Sequence, residues 1–314
     1  MKRIVISEFM DAPAVEALRA RFEVDYRPAL VDDPAALAAA LPGAHGWIVR
    51  NRTQVRGPLL AAAAGLCVVG RLGVGLDNID VAACEARGIR VIPATGANAE
   101  AVAEYVVAVS LMLLRGAYHA SADVAAGRWP RAALSEGREA GGKAMGIVGF
   151  GSIGRATAVK AAALGMRILG HDPQVPAGDP AWREARAEPL ELDALLARSD
   201  VVSLHVPLVP ATRGLVDAAR IARMKPGAVL VNTARGGIVD EAAVAAALRE
   251  GRLGGAALDV FEAEPLAAGS PLAGAPRLIL TPHIAGVTRE SNERVSSLIA
   301  SRVAEALAGP PGSA

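Results

Sequence analysis

The sequence predicts an α/β protein made of two doubly wound parallel-sheet domains, and three observations support this prediction. Short apolar, β-branched runs alternate with Ala- and Leu-rich segments along most of the chain, as strands and helices do around a parallel sheet. The length of 314 residues suits two domains better than one. The composition is 52% hydrophobic but only 3% aromatic, so aliphatic side chains must fill both cores.

The first series of strands and helices occupies residues 1–97. Helical segments separate its predicted strands, which are RIVIS (3–7), FEVDY (22–26), GWIVR (46–50), CVVG (67–70) and IRVI (89–92). We expect Asp33 to cap the helix in DPAALAAAL with Pro34 at the first position, because Asp accepts from the free N–H groups of a first turn and Pro suits that turn.

The second series follows a long helix at 98–115 and an irregular polar stretch at 116–142. Its predicted strands are AMGIVGF (144–150), RILGHD (167–172), VVSLHV (201–206), AVLVN (228–232), AALDV (256–260) and LILTP (278–282). A last helix near 289–308 lies beyond this sheet. We expect it to return to the first domain, which would bring the chain ends together.

Charge and cysteine usage argue against several classes of protein. Lys and Arg number 33 and Asp and Glu 32, so there is no charge excess for a nucleic acid or a membrane surface. The most apolar stretch, 101–114, contains Glu104 and falls short of the roughly 20 residues of a membrane span. The start MKRIVISEF indicates a strand rather than a signal peptide. Cys67 and Cys84 lack metal-ligand spacing, which favours a reduced, cytoplasmic protein without a metal site.

A glycine-rich motif opens the second series. In GIVGFGSIGRATAVKAAALG an apolar strand precedes Gly149, Gly151 and Gly154, and an Ala-rich helix follows them. This context predicts a dinucleotide-binding turn, in which the helix N-terminus receives the phosphates. Asp172 ends the next strand, where it can accept from the ribose hydroxyls, and no Lys or Arg stands at 173–175 to receive a 2′-phosphate. NAD is therefore favoured over NADP; the alternative is a glycine turn that binds nothing.

Three later strands are followed by charged residues that can take part in chemistry. Arg235 lies in NTARGGIVDE (232–241), and two interpretations of it stay open: a surface arginine held by a carboxylate, or a guanidinium aimed at an anionic ligand. In the second interpretation, Gly236 and Gly237 would leave room for the ligand to approach. Glu264 and His283 follow the next two strands. Because ligands bind beyond the carboxyl ends of parallel strands, we expect the three side chains to converge there, which favours a catalytic interpretation.

These motifs together identify a family resemblance. The chain resembles the NAD-dependent D-2-hydroxyacid dehydrogenases over essentially its whole length, and most of all the branch of 3-phosphoglycerate and sulfolactate dehydrogenases. The motifs that carry the resemblance are VGRLGVGLDNID, NAEAVAEY, VGFGSIG with HDP, LHVPLVPATRGLV, NTARGGIVDE, ALDVFEAEP and TPHIAG.

The resemblance implies a domain plan and an assembly. A flavodoxin-like substrate domain would comprise residues 1–97 and 287–314, and a Rossmann coenzyme domain would be inserted at 98–286. It further implies a homodimer through the coenzyme domain. Because the sequence ends at 314, we expect no C-terminal regulatory domain of the kind many phosphoglycerate dehydrogenases carry.

The resemblance also implies roles for individual residues. Arg235 would hold the substrate carboxylate, His283 would exchange the proton with the substrate oxygen, and Glu264 would orient the imidazole and favour its charged form. Asp259 would contact the nicotinamide carboxamide. The residues expected around NAD are Gly149, Gly151, Ser152, Ile153, Gly154, Asp172, His205, Pro207, Thr212, Thr233, Ala234, Asp259 and His283; for His205 a purely structural role is equally compatible.

The first domain suggests a second anion on the substrate. Two of its strands end in loops that face the substrate in the resembled family, and these loops would supply Arg50, Asn51, Arg52, Arg71, Gly73 and Val74. Lactate would leave such cations unpaired, whereas a sulfonate or phosphate at carbon 3 would satisfy them. The alternative is that some of these arginines pair with Asp77 or Asp80 or point to solvent.

Several functions therefore stay open. The preferred substrates are 3-sulfolactate, then 3-phosphoglycerate, then hydroxypyruvate or glyoxylate. A less favoured possibility is a non-catalytic NAD-sensing protein, such as the C-terminal-binding corepressors of the same fold.

Overall fold

The computed structural model describes residues 1–308, except the side chain of residue 119. These residues form two compact units, one of residues 1–98 with those from 287 onward, the other of residues 99–286. Each unit contains one fully parallel sheet, with five strands in the first and seven in the second. The prediction of two parallel-sheet α/β domains is confirmed.

The first unit is a five-stranded sheet with helices on its faces. Its strand order is β2-β1-β3-β4-β5. The strands are β1 (Arg3–Ile6), β2 (Glu23–Tyr26), β3 (Gly46–Val49), β4 (Val68–Arg71) and β5 (Arg90–Pro93), and the helices are α1 (Ala12–Arg19), α2 (Pro34–Ala40), α3 (Gly57–Ala62), α4 (Val81–Ala86) and α12 (Arg289–Ala308), with a 3₁₀ turn at Pro28–Asp32.

Local sequence explains two features of this unit. The side chain of Asp33 accepts a hydrogen bond from the N–H of Ala36, with Pro34 opening α2, so the predicted cap is confirmed. Helix α12 packs against β4, where a Cβ on Gly70 would lie 2.7 Å from the side chains of both Ile299 and Val303. A glycine in the middle of this strand therefore lets the C-terminal helix approach the sheet.

The second unit is a seven-stranded sheet of order β12-β11-β10-β9-β6-β7-β8. Its strands are β6 (Ala144–Val148), β7 (Arg167–His171), β8 (Ala187–Pro189), β9 (Val201–Leu204), β10 (Ala228–Asn232), β11 (Leu253–Leu258) and β12 (Leu278–Leu280). Its helices are α5 (Ala99–Arg115), α6 (Ser121–Ala125), α7 (Ser152–Ala163), α8 (Pro180–Glu184), α9 (Leu192–Arg198), α10 (Ala218–Arg223) and α11 (Glu241–Arg249), with a 3₁₀ turn at Ala117–Ala120.

Strand β8 is absent from the sequence-based prediction. It has only three residues and ends in a proline, so it presents no apolar run that could be recognised. The stretch expected to be irregular, 116–142, also contains a 3₁₀ turn and the short α6. Both differences lie away from the switch in strand order between β6, β7 and β9, where ligands bind in open sheets of this kind.

The cores are aliphatic, as the composition requires. Helix α5 supplies Val102, Val106 and Leu113 to the core on one face of the second sheet. Within residues 1–308, no helix combines the length and the apolarity that a membrane crossing would need. In the same part of the chain, no three metal-ligating side chains come together.

Candidate active site

The turn between β6 and α7 has a geometry that only glycines allow. Gly149 has a φ of +94°, and a Cβ there would lie 2.4 Å from the carbonyl oxygen of His205. A Cβ on Gly154 would lie 2.1 Å from the carbonyl oxygen of Gly149, so this glycine lets the helix approach the strand. Gly151, by contrast, faces open space within 4 Å. The first and third glycines thus shape the turn, and the second leaves room above it.

The N-terminus of α7 is suited to a phosphate. Gly151 is the cap residue and has no side chain that could accept a hydrogen bond from the first turn, which begins with Ser152, Ile153 and Gly154. Such N–H groups and the positive end of the helix dipole attract anions. Farther along the sheet, the hydroxyl of Thr233 is buried and has no hydrogen-bond partner among the described residues. These features fit a dinucleotide such as NAD.

Asp172 is fixed beside the glycine-rich turn. Its Oδ2 accepts from the N–H of Phe150 at 2.8 Å, and its Oδ1 accepts from the N–H of Gln174 at 2.9 Å. The residue remains partly exposed. The carboxylate is therefore oriented by backbone donors at the place where the sequence motif requires a ribose acceptor.

The loop after β9 is closed by its own side chains. The hydroxyl of Thr212 donates to the carbonyl of Pro207 at 2.5 Å and accepts from the N–H of Val209 at 2.9 Å. The ring Nε2 of His205 lies 2.9 Å from the hydroxyl of Ser203, and burial lowers the pKa of His205 to about 4. Thr212 thus has its partners inside the loop and His205 has its partner on β9, so both side chains define the shape of the loop.

The turn that carries Arg235 is held by a buried asparagine. Asn232, only 2% exposed, accepts from the N–H of Ala234 at 3.0 Å and donates to the carbonyl of Arg235 at 2.9 Å. The expectation that both following glycines make room for a ligand needs correction. A Cβ on Gly236 would lie 1.8 Å from the carbonyl oxygen of Phe261, and Gly237 has a φ of +76°, so the packing and the turn themselves require glycine.

The predicted catalytic pair is in direct contact. Nδ1 of His283 lies 2.8 Å from Oε2 of Glu264, and both side chains are about one-third exposed. The other oxygen of Glu264 accepts from the N–H of Phe261 at 3.1 Å, which fixes the carboxylate. The contact through Nδ1 leaves Nε2 as the ring nitrogen that can exchange a proton with a substrate.

Asp259 is buried and is held by the loop that carries His283. It is 1% exposed, and its carboxylate accepts from the hydroxyl of Thr281 and from the N–H groups of Ile284 and Ala285 at 2.5, 2.9 and 2.8 Å. The backbone oxygen of Asp259 accepts from the N–H of His283 at 2.8 Å. These contacts make the side chain the anchor of the loop that carries the histidine.

In the first unit, the predicted substrate loop is held from two sides. The carboxylate of Glu8, 5% exposed, accepts from the N–H groups of Arg50, Arg52 and Thr53 at 2.7, 3.2 and 3.0 Å. The side-chain amide of Asn78 donates to the carbonyls of Arg50 and Thr53 at 3.2 and 2.7 Å. Sequence reasoning missed both residues, because Glu8 belongs to no motif and Asn78, although it lies in VGRLGVGLDNID, acts through contacts with a loop about 25 residues earlier that only the folded chain shows.

The three arginines predicted to bind the substrate, Arg50, Arg52 and Arg71, each have a different partner. Arg50 donates to Oδ1 of Asn292 at 2.7 Å, and its guanidinium lies 5.9 Å from the ring centre of Phe9. Burial lowers the pKa of Arg50, and the charge of Glu8 opposes this shift.

The remaining loop residues differ in exposure. Arg52 pairs with Asp32 at the surface, Asn51 is exposed, and Val74 is half-buried. Arg71 is 9% exposed and donates to the carbonyl of Leu72 at 3.1 Å. Its guanidinium also occupies the space where a Cβ on Gly73 would stand, so a glycine is required there. The alternative of pairing therefore holds for Arg52, whose partner is Asp32.

The comparison with known families decides the identity. Residues 107–285 match the family described as D-isomer specific 2-hydroxyacid dehydrogenase, NAD binding domain. The chain belongs to this family. It is thus an NAD-dependent 2-hydroxyacid dehydrogenase, and the predictions of family, enzyme class and coenzyme are confirmed.

Three relatives of this dehydrogenase indicate its place in the family. It is 54% identical over 308 residues to the (S)-sulfolactate dehydrogenase of Chromohalobacter salexigens, a match that covers 98% of this chain and 99% of that protein. It is 40% identical to the D-3-phosphoglycerate dehydrogenase of Mycobacterium leprae, with 98% of this chain covering 57% of that protein. The crystal structure of a Thermus thermophilus protein superimposes with a TM-score of 0.88 at 36% identity, covering 98% of each chain.

Proposed function

We propose that this dehydrogenase interconverts (S)-3-sulfolactate and 3-sulfopyruvate with NAD. The observation that carries the proposal is the pair of buried or half-buried arginines, Arg50 and Arg71, at the ends of adjacent strands of the first unit. Val49 pairs with Arg71 in the register of β3 and β4, so Arg50 leaves the sheet at the same edge. Two guanidinium groups at one edge of the sheet favour an anionic ligand. The high identity to a sulfolactate dehydrogenase supports the sulfonate as that anion.

The (S) descriptor of that relative agrees with a D-specific site. At carbon 2 of D-lactate the carboxylate outranks the methyl group, and the arrangement is named R. In sulfolactate the sulfur atom gives the group at carbon 3 priority over the carboxylate. The same arrangement in space is therefore named S, so a site built for D-2-hydroxy acids accepts (S)-sulfolactate without inversion of its geometry.

In the proposed mechanism, Arg235, His283 and Glu264 have separate tasks. When bound, NAD(H) supplies or accepts the hydride at carbon 2 of the substrate. In the direction of reduction, Arg235 binds the carboxylate of the oxo acid through its planar fork, and His283 donates a proton from Nε2 to the carbonyl oxygen. Glu264 keeps its hydrogen bond to Nδ1 and so fixes the ring orientation. In oxidation the same imidazole accepts the hydroxyl proton.

The glycine-rich turn and the first turn of α7 would hold the pyrophosphate of NAD, through Gly149, Gly151, Ser152, Ile153 and Gly154. Asp172 would accept from the hydroxyls of the ribose. Thr233, whose hydroxyl has no partner within residues 1–308, would donate to the coenzyme.

A kinetic panel tests the substrate. We expect (S)-3-sulfolactate to give a higher kcat/KM with NAD than D-3-phosphoglycerate, D-glycerate and D-lactate, and (R)-3-sulfolactate to be inactive. D-3-phosphoglycerate is the second candidate, because the Mycobacterium leprae relative acts on it. A preference for D-lactate or D-glycerate over both 3-anionic acids would contradict the proposal.

We also propose that the enzyme is a cytoplasmic homodimer assembled through its second unit. Tyr118, Val124 and Trp129 are between 47% and 76% exposed on one short segment of this unit, and a second copy of the chain would cover them. The free thiols of Cys67 and Cys84 suit a reducing compartment. Size-exclusion chromatography with light scattering tests the dimer, and Trp129→Glu should produce a monomer.

A further inference from the structure

The loop that presents His283 has a backbone conformation that needs support. His283 has a φ of +56°, in the left-handed region that residues with a side chain rarely adopt. Its N–H donates to the carbonyls of Asp259 and Thr281 at 2.8 and 3.0 Å. The two N–H groups that follow in the chain donate to the carboxylate of Asp259. The pose of the imidazole therefore depends on the position of one buried carboxylate.

That carboxylate has only neutral donors among its described contacts. They are two backbone N–H groups and the hydroxyl of Thr281, which lies 2.5 Å from Oδ1 of Asp259. A buried charge that loses one of its hydrogen bonds is strongly destabilised or moves toward another donor. Thr281 thus stabilises both the charge and the location of Asp259.

The chain of hydrogen bonds extends one residue farther, to helix α5. The hydroxyl of Tyr105 lies 2.6 Å from the hydroxyl of Thr281. Thr281 has one proton and gives it to Asp259, so Tyr105 must be the donor in this contact. Burial raises the pKa of Tyr105, the hydrogen bond with Thr281 opposes this shift, and the charge of Asp259 adds to it. The phenol therefore keeps its proton, and the direction of the chain is fixed.

We propose that Tyr105 and Thr281 are positioning residues for His283, which act through Asp259 to hold the imidazole in the geometry for proton transfer. The inference rests on the proposed role of His283. A helix on one face of the sheet thereby helps to set the pose of a side chain beyond the carboxyl ends of the strands. Small displacements matter, because a misplacement of about 1 Å can cost about 100-fold in rate.

Two variants break the chain of hydrogen bonds with little change in shape. Tyr105→Phe removes only the hydroxyl of the phenol, and Thr281→Val replaces the hydroxyl of threonine by a methyl group. We expect kcat for oxo-acid reduction to fall about 10-fold for the first and about 10- to 100-fold for the second. The Kd for NADH should change less than about 2-fold, since proton transfer rather than coenzyme binding is affected. Thr281→Ser keeps the donor and should restore most of the activity.

A double variant separates this role from general support of the fold. If Tyr105 acts through Thr281, adding Tyr105→Phe to Thr281→Val should lower kcat little further, whereas independent effects would multiply. The matched control is Ser110→Ala on the same helix, which removes a buried hydroxyl that donates to the carbonyl of Val106 at 2.6 Å. This control should keep wild-type kcat. Should Thr281→Val fail to fold, Tyr105→Phe and Thr281→Ser still carry the test.

The outcomes distinguish the inference from the proposed function. Wild-type kcat in Tyr105→Phe, together with loss of activity in His283→Ala, would overturn the positioning role and leave the function intact. Multiplicative losses in the double variant would also overturn it. Near-normal turnover by His283→Ala would instead contradict the proposed function.

Discussion

The carboxylate Oε1 of Glu8 accepts a 2.7 Å hydrogen bond from the backbone N–H of Arg50. Glu8 belongs to no recognised motif, yet it supports the loop that carries Arg50, the proposed anion-binding arginine. An amide in its place can accept only through its oxygen, and its NH₂ group would face a backbone donor. We therefore expect Glu8→Gln to lower the free energy of unfolding by about 1–3 kcal/mol.

The same variant should raise the KM for (S)-3-sulfolactate more than the KM for D-lactate, because the loop that presents Arg50 loosens. Steady-state kinetics and urea unfolding measure the two effects. Glu16→Gln, which breaks only the exposed pair with Arg19, is the control and should leave both quantities unchanged within error. Equal changes in KM for the two substrates would contradict a role in anion binding.

Arg50 itself should matter more than Arg52. Arg50→Ala is expected to raise the KM for (S)-3-sulfolactate about 10- to 100-fold, with a smaller change for D-lactate, because a charge-assisted contact is worth about 1.5–3 kcal/mol. Arg52→Ala should raise it less, since that guanidinium must leave its pair with Asp32 to reach a substrate. Similar KM values for Arg50→Ala and the wild type would remove the main support for a second anion.

The proposed carboxylate clamp and proton donor can be tested together. Arg235→Lys should be severely impaired, because a point charge cannot replace the planar fork. His283→Ala should lose about two to four orders of magnitude in kcat for oxo-acid reduction. NADH binding should persist in both variants, which fluorescence titration can show. Near-normal turnover by either variant would contradict its assignment.

The sequence predicted features that depend on neighbours in the chain, and missed features that depend on distant contacts. The cap by Asp33 and the turn at Gly149 are local, so residue type and spacing were sufficient. Tyr105 meets Thr281 across 176 positions, and no pattern in a single sequence marks such a pair. From the sequence, Gly236 is expected to make room for a ligand. In the structure it makes room for the backbone of Phe261, which only the folded chain brings near.

The pKa of His205 predicts a pH dependence of stability. Burial lowers the pKa of His205 in the folded chain to about 4, although the residue keeps some exposure. In the unfolded chain the pKa of a histidine is near 6.5. Between these values the unfolded chain binds more protons, so stability rises with pH and is lost as pH falls from about 6.5 toward 4.

As the pH falls from 7 to 4.5, the free energy of unfolding of His205→Gln should decrease by about 1–3 kcal/mol less than that of the wild type. This range allows for the partial exposure of the imidazole. Urea unfolding at pH 7 and pH 4.5 gives the difference between the variant and the wild type. His45→Gln in the first unit is the control for loss of a histidine. The same pH dependence in the wild type and in His205→Gln would show that the imidazole is not buried as a neutral group.

The position of Asp172 predicts the choice between NAD and NADP. Backbone N–H groups of Phe150 and Gln174 hold its carboxylate beside the glycine-rich turn, so the charge cannot easily turn away from a bound ribose. It can accept from both ribose hydroxyls of NAD, and it repels a 2′-phosphate. The wild type should prefer NAD strongly in kcat/KM. Asp172→Ala should lower the ratio of kcat/KM with NAD to kcat/KM with NADP by about 10-fold or more, through loss of activity with NAD.

Asp172→Asn separates the two effects, because it keeps a hydrogen-bonding oxygen and removes the charge. If repulsion is the larger effect, the asparagine variant gains activity with NADP; if hydrogen bonding is larger, it resembles the wild type with NAD. Equal use of both coenzymes by the wild type would contradict the assignment of this residue.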